Sequence, residues 1–213
     1  MKNTKLIRIA QSFIMFPIMT MPMSFGALPQ TGAGLVATIQ SVGSQENVIS
    51  RQLALQEVEE LAKKAEEVMA KKAEAIDNYF KERSMPLYGM GMKMVIEGEK
   101  NGLDWRLIPA IAVRESTGGK FECQKVENNP FGWGSCKIGF KSNEHAIETV
   151  ARNLGGNNPN TAHHYDEKTT IQILRAYNPP SIVPKYAEQV VSIMNKIAPL
   201  DMEVSNNEVA KNI

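Results

Sequence analysis

AIAVRESTGGKFECQKVENNPFGWGSC, residues 110–136, is the stretch on which the reading of this chain turns. An apolar helical run ends on a lone carboxylate, Glu115, and passes through Gly118-Gly119 into a loop rich in Asn, Gly and aromatics that Cys123 and Cys136 bracket. Ile108, Ile111 and Glu115 fall at i, i+3 and i+7, so the carboxyl lies on the stripe that the helix turns toward a core. A carboxyl at a helix C-terminus among apolar neighbours is disfavoured as an anion, by desolvation and by the negative end of the dipole. Its pKa is expected to rise, as a general acid near neutral pH requires. Arg114 is the nearest cation, but adjacent side chains on a helix point apart. Taken alone, Glu115 reads equally well as a rim glutamate that reaches solvent.

The loop tilts that balance. Asn128 and Asn129 offer amide donors and acceptors suited to acetamido and hydroxyl groups, Phe131 and Trp133 offer flat apolar faces on which sugar rings pack, and Gly132 and Gly134 let backbone approach closely. Each feature alone is weak: an NPFG stretch is commonly just a turn, and Trp133 alone is as readily core. Cys123 and Cys136 are the only cysteines, and in an oxidising compartment a pair reads as a disulfide before a metal site; two buried free thiols are the alternative. A bridge would close a loop of about fourteen residues and stabilise by roughly 3 kcal/mol.

Working outward, the segment from Met85 to Pro199 reads as one mainly α domain. Gly89–Lys100 carries Met90, Met94 and Val95 at helical spacing with Gly102 as its stop. Asp104 is placed to cap the Glu115 helix, although Pro109 removes a backbone bond and implies an irregular or later start. Lys120–Lys141 is too rich in Gly, Asn and Pro for a helix and suits a short hairpin or an irregular loop. Ser142 caps a helix ending at Gly155-Gly156, Thr169 or Thr170 caps one ending near Tyr177, and Pro184 opens the last, which bears Tyr186, Val190, Ile193, Met194 and Ile197.

Before that domain, residues 46–84 hold no Gly or Pro up to Arg83 and spell a long amphipathic helix. Val58, Leu61, Ala65, Val68, Ala75 and Tyr79 form its seam, Lys72 interrupts it, and Glu59/Lys63, Glu60/Lys64 and Glu67/Lys71 stand at i,i+4. Packing on the domain's flank and a coiled-coil stalk that self-associates through residues 46–83 both fit. Residues 28–45 are uncharged and small, and read as a flexible linker. Residues 1–27 combine Lys2, Lys5 and Arg8, an apolar run and small residues, the pattern of an export signal either cleaved or kept as an anchor, with no further stable membrane span expected. Residues 200–213 read as a loose polar tail.

Charge excludes little but steers the search. With 24 basic and 23 acidic residues the net charge is +1, so no global field favours nucleic acid, and a partner must be recognised locally. His163-His164 with Asp166 lacks further ligands at zinc spacing and adjacent histidines are expected to diverge, so no metal is expected, and no cofactor motif is present.

The combined pattern resembles the bacterial peptidoglycan N-acetylglucosaminidase family, within the lysozyme-like superfamily that also includes soluble lytic transglycosylases and goose-type lysozymes. The likeness covers roughly residues 86–198. It rests on Glu115-Ser116 after the Ala-Ile-Ala helix, Asn129-Pro130-Phe131-Gly132, Phe140-Lys141-Ser142, and Tyr177-Asn178 before the Tyr186 helix. Gly102-Leu103-Asp104 and Tyr177-Asn178 are similar to the transglycosylase branch as well. The resemblance implies a lysozyme-like fold, glycan strands of peptidoglycan as substrate, an envelope or secreted location, Glu115 as acid, and Ser116, Tyr177, Asn178 and Tyr186 beside the loop residues in substrate binding.

One departure matters. Such glucosaminidases often carry a second carboxylate on a hairpin after the Phe-Gly motif, yet residues 133–143 contain no Asp or Glu. Glu122, Glu127 and Glu144 remain as candidates. Inverting hydrolysis needs a second carboxylate to activate water, whereas an intramolecular route uses a substrate group. A single-acid route is therefore favoured, by transglycosylation or by hydrolysis with help from the substrate's N-acetyl group. The alternative reading is a non-catalytic glycan-binding or envelope-scaffold protein.

Overall fold

The computed structural model describes residues 36–199, with side chains from Ser50 onward. Among those residues lie seven helices and no strand: α1 Val36–Glu82, α2 Gly91–Lys100, α3 Leu107–Ser116, α4 Asn143–Leu154, α5 Ala162–Tyr165, α6 Thr170–Tyr177 and α7 Tyr186–Ile197. The fold is mainly α, as expected. The export signal, residues 28–35 of the linker and the polar tail lie outside the described residues. The chain divides after Leu53 into two units, and the second, from Ala54, contains the core. No described helix is long and apolar enough to cross a membrane.

Local chemistry explains the helix ends. The Ser142 hydroxyl accepts from His145 N–H at 3.2 Å, and Thr169 closes a capping box with Gln172, whose Oε1 accepts Thr169 N–H at 2.9 Å. Asp104 does not cap α3. Its carboxylate instead accepts the Arg106 backbone N–H at 2.9 Å and pairs with Arg106 Nη2 at 2.6 Å, while Arg106 Nη1 donates to Ala198 O at 3.0 Å. That network starts the helix at Leu107, so Pro109 falls in the first turn, where its missing N–H has no intrahelical acceptor to lose. Thr117 at φ 53° and Gly118 at φ 63° then turn the chain out of α3.

α3 is the centre of the fold. Leu107, Ile108, Ala110, Ile111 and Ala112 are all fully buried, and the helix packs chiefly on α7 while α2 packs on α4. A helix buried on every side holds its last residues in a fixed place, which is what positions Glu115.

Two expectations are corrected and one open alternative is resolved. The helix already runs through residues 36–45, which were expected as linker: lack of charge does not break a helix, and Gly43 alone costs only about 1 kcal/mol. Of the two forms open to the loop, a short hairpin or an irregular segment, it takes the irregular one and is crossed by Phe140 N–H donating to Glu127 O at 3.0 Å. The α1 seam is covered over its C-terminal part only, where Ala73, Ile76, Tyr79 and Phe80 are buried; Val58 is 62% exposed. There α2 begins so close that a Cβ on Gly91 would meet Ala73 O at 2.4 Å. Lys72, the polar break in the seam, pairs with Glu99 at 2.7 Å, and of the three i,i+4 pairs Glu60–Lys64 closes, at 2.9 Å.

Candidate active site

Glu115 is the second-last residue of α3 and half-buried. Its Oε1 accepts from the Tyr186 hydroxyl of α7 at 2.5 Å. Its Oε2 faces Gly132, where a Cβ would stand 3.2 Å away and where φ is +62°, a left-handed backbone that glycine adopts without cost. Among the described residues no cation lies at salt-bridge distance from Glu115. Arg114 turns the other way, donating from Nε to Gln189 Oε1 at 2.8 Å with its guanidinium 5.6 Å over the Tyr186 ring.

Burial therefore governs this carboxyl. It raises the pKa of Glu115 above the ordinary carboxylic value, while the Tyr186 hydrogen bond and the more distant Arg114 charge pull down more weakly. The same burial, together with the negative charge of Glu115, pushes Tyr186 and Tyr177 upward, so both remain phenols and donors.

The loop is held over Glu115 by side chains the sequence reading assigned to substrate. Ser116 is buried; its hydroxyl lies 2.7 Å from Pro130 O and 3.1 Å from Ala112 O, sharing one proton between them, and accepts Gly119 N–H at 2.9 Å. Asn129 is fully buried and donates to Trp133 O at 2.9 Å and Ile138 O at 2.8 Å while accepting Trp133 N–H at 3.0 Å. Phe131 is fully buried, with its carbonyl accepting the Tyr177 hydroxyl. These three line the cleft, Ser116 and Asn129 one side and Phe131 the other, but the polar groups of Ser116 and Asn129 are engaged by the loop backbone, whose buried carbonyls and N–H groups need partners. Asn128 donates to Phe140 O at 3.0 Å and lines, with Glu127, a hollow whose wall also includes Phe121, Glu122, Cys123 and Gln124.

Two lobes of a cleft meet at Glu115, Gly132 and Ser135. One, of about 600 Å³, is walled by the Cys123–Cys136 disulfide, whose Cα atoms are 5.4 Å apart, and by Glu122, Lys125 and Lys137. The other, of about 470 Å³, is lined by Trp133, Tyr165, Tyr177, Asn178 and Ile182. An aromatic row backs it: the Trp133 and Tyr177 rings are 5.8 Å apart, and Tyr177 stacks on Tyr186 at 5.9 Å and 18°. So Gly132, Trp133, Tyr177 and Asn178 stand where expected, and Tyr186 acts from beneath through Glu115.

Of the candidate second carboxylates, Glu122 shares a lobe with Glu115 and is exposed; Glu127 and Glu144 line neither lobe. Glu144 sits in the first turn of α4, where the Ser142 hydroxyl and its own N–H hold it below the usual carboxylate range. His163 and His164 do not diverge as expected: in the single turn of α5 their exposed rings lie 3.9 Å apart. Sequence reasoning missed Tyr165, Lys125, Lys137 and Ile182. Tyr165 rides on α5, too short to leave a periodic signal, and exposed lysines carry no signal until a cleft is seen beside them. No family model, no curated protein and no solved structure matches this chain.

Proposed function

We propose that this chain is a cell-envelope glycosidase that cuts β-1,4 bonds in the glycan strand of peptidoglycan, with Glu115 as the general acid. The carrying observation is a carboxyl of raised pKa, partnered by a neutral phenol, at the junction of two cleft lobes. Because the Tyr186 hydroxyl donates to Oε1, the acidic proton belongs on Oε2, the oxygen facing Gly132 and the cleft. Transfer of that proton to the glycosidic oxygen lets the C1–O bond break with its electron pair going to the leaving hydroxyl. The sugar left behind acquires oxocarbenium character, and the Tyr186 hydrogen bond steadies the new carboxylate.

Glu115 is then a base. It takes the proton of the muramoyl 6-hydroxyl as that oxygen bonds to C1, which regenerates the acid and leaves a 1,6-anhydro end. This route is favoured over inverting hydrolysis because the only other carboxylate in either lobe, Glu122, is exposed and the expected hairpin carboxylate has no counterpart in residues 133–143. The disulfide supports action in an oxidising, extracytoplasmic compartment.

Digestion of purified sacculi with mass spectrometry of the released muropeptides tests the reading. Anhydro-muramoyl ends, lighter by one water than hydrolysed ends, are expected. Reducing N-acetylglucosamine ends would replace transglycosylation by glucosaminidase hydrolysis, and no release at all would favour the non-catalytic glycan-binding scaffold.

A further inference from the structure

The two lobes at Glu115 differ in charge. Apart from Glu115, the lobe of Trp133, Tyr165, Tyr177 and Ile182 holds no charged side chain, whereas the other holds Glu122, Lys125 and Lys137. The disulfide creates the contrast. By bringing Cys123 and Cys136 to a Cα separation of 5.4 Å it draws Glu122 and Lys125, on one arm of the loop, toward the same wall as Lys137 on the other. All three side chains are exposed, and among the described residues none makes an ion pair or side-chain hydrogen bond. Two cations and an anion thus face one lobe without neutralising each other, which suits a ligand bearing charges of both signs.

We infer that this charged lobe receives the stem peptide of a muramoyl residue, Lys125 and Lys137 meeting its carboxylates and Glu122 the ammonium group of its diamino acid. The inference rests on the glycan reading of the cleft and adds a polarity to it. The aromatic lobe takes bare sugar faces, so the strand lies in one direction, with a stem-bearing sugar on the disulfide side of Glu115. Recognition on that side is electrostatic and weakens with salt, while packing on the aromatic side does not.

Equilibrium binding separates this from the catalytic claim. Glu115→Gln protein, which leaves both lobes intact, is titrated with soluble glycan strands that carry stem peptides and with strands denuded by an amidase. Two exposed charge contacts are expected to favour stem-bearing strands about tenfold in Kd. The double variant Lys125→Ala/Lys137→Ala, made in the same background, is expected to erase the preference and leave denuded-strand affinity unchanged, which also serves as its folding control. Equal affinity for the two strands, or a double variant that weakens both alike, overturns the stem-peptide site alone. Binding to neither strand overturns the glycan reading and this inference with it.

Discussion

Glu97 and Glu115 sit on the adjacent helices α2 and α3, both withdrawn from water, and their surroundings have little in common. Glu97 is 4% exposed and closed by Lys93 Nζ at 2.9 Å and Lys100 Nζ at 3.4 Å. Glu115 is half-buried, and among the described residues a phenol is the only side chain hydrogen-bonded to it. A carboxylate enclosed by ammonium groups fastens a helix. One enclosed by apolar surface and a neutral hydroxyl has its pKa raised, the direction that a proton donor needs. The contrast recurs at the two ends of α3, where Arg106 and Asp104 pair just before the first turn and Glu115, among the described residues, stands without a salt-bridge partner at the last. What assigns a structural or a chemical role is therefore the charge of the partner, more than burial alone.

The largest expected effect separates the two carboxylates. Glu115→Gln is predicted to lower muropeptide release from sacculi by about 10²–10⁴-fold, the usual worth of a general acid, with little change in the urea midpoint. Glu97→Gln is predicted to do the reverse. It keeps the rate and loses about 1–3 kcal/mol of stability, moderated because Lys93 and Lys100 can still reach water. Loss of the same property in both variants would break the comparison.

Next in size is Gly132→Ala. A non-glycine residue at φ +62° costs about 1–2 kcal/mol, and its Cβ would press on Oε2 from 3.2 Å, so release should fall about ten- to a hundredfold along with some stability. A rate equal to wild type would mean that Oε2 is not the reacting oxygen.

Much of this arrangement was legible in the sequence, and the failures share a cause. Ser142 as a cap, Thr169 as one of two candidate caps, the later start of α3 that Pro109 implies, the position of Glu115 on the Ile108–Ile111 stripe and the paired cysteines all follow from local rules of period, capping and compartment. Ser116, Asn129 and Phe131 were assigned to substrate and are turned inward, because residue type reveals what a side chain can bond and nothing of which way it points. An irregular loop with no ladder must satisfy its backbone through side chains, and those side chains are then used up. The bond from Tyr186 to Glu115 spans 71 positions, and the covered part of α1 depends on where α2 happens to meet it. Such pairings arise from tertiary packing, which no local window contains.

Smaller effects sharpen the role of the phenol. Tyr186→Phe removes a hydrogen bond that lowers the Glu115 pKa, so the pKa should climb further and the alkaline limb of the rate profile should move to higher pH. The maximal rate is expected to fall about tenfold, the lower end of what one hydrogen bond to a charged group is worth, as the carboxylate formed during reaction loses its donor. A limb that stays put would remove Tyr186 from the site.

The smallest effect is on stability. Since the folded-state pKa of Glu115 lies above its unfolded value, the native state binds more protons between the two, and this contribution to stability is lost as pH rises through the folded pKa. Glu115→Gln should therefore melt slightly higher than wild type at neutral pH, and the gap should close below the ordinary carboxylic pKa. A gap independent of pH would mean that burial does not disfavour the anion.

The central claim, that Glu115 works as a proton donor because burial outweighs the distant Arg114 charge and no described cation pairs with it, is tested most directly by titrating that carboxyl. Carbon-13 NMR of protein labelled at the glutamate carboxyl carbon, with the resonance assigned by its disappearance in Glu115→Gln, reads the pKa of this one group. The account predicts a midpoint above the ordinary glutamate value of about 4.3, coinciding with the alkaline limb of muropeptide release from sacculi. A midpoint at or below that value, or a release rate indifferent to it, would contradict the account.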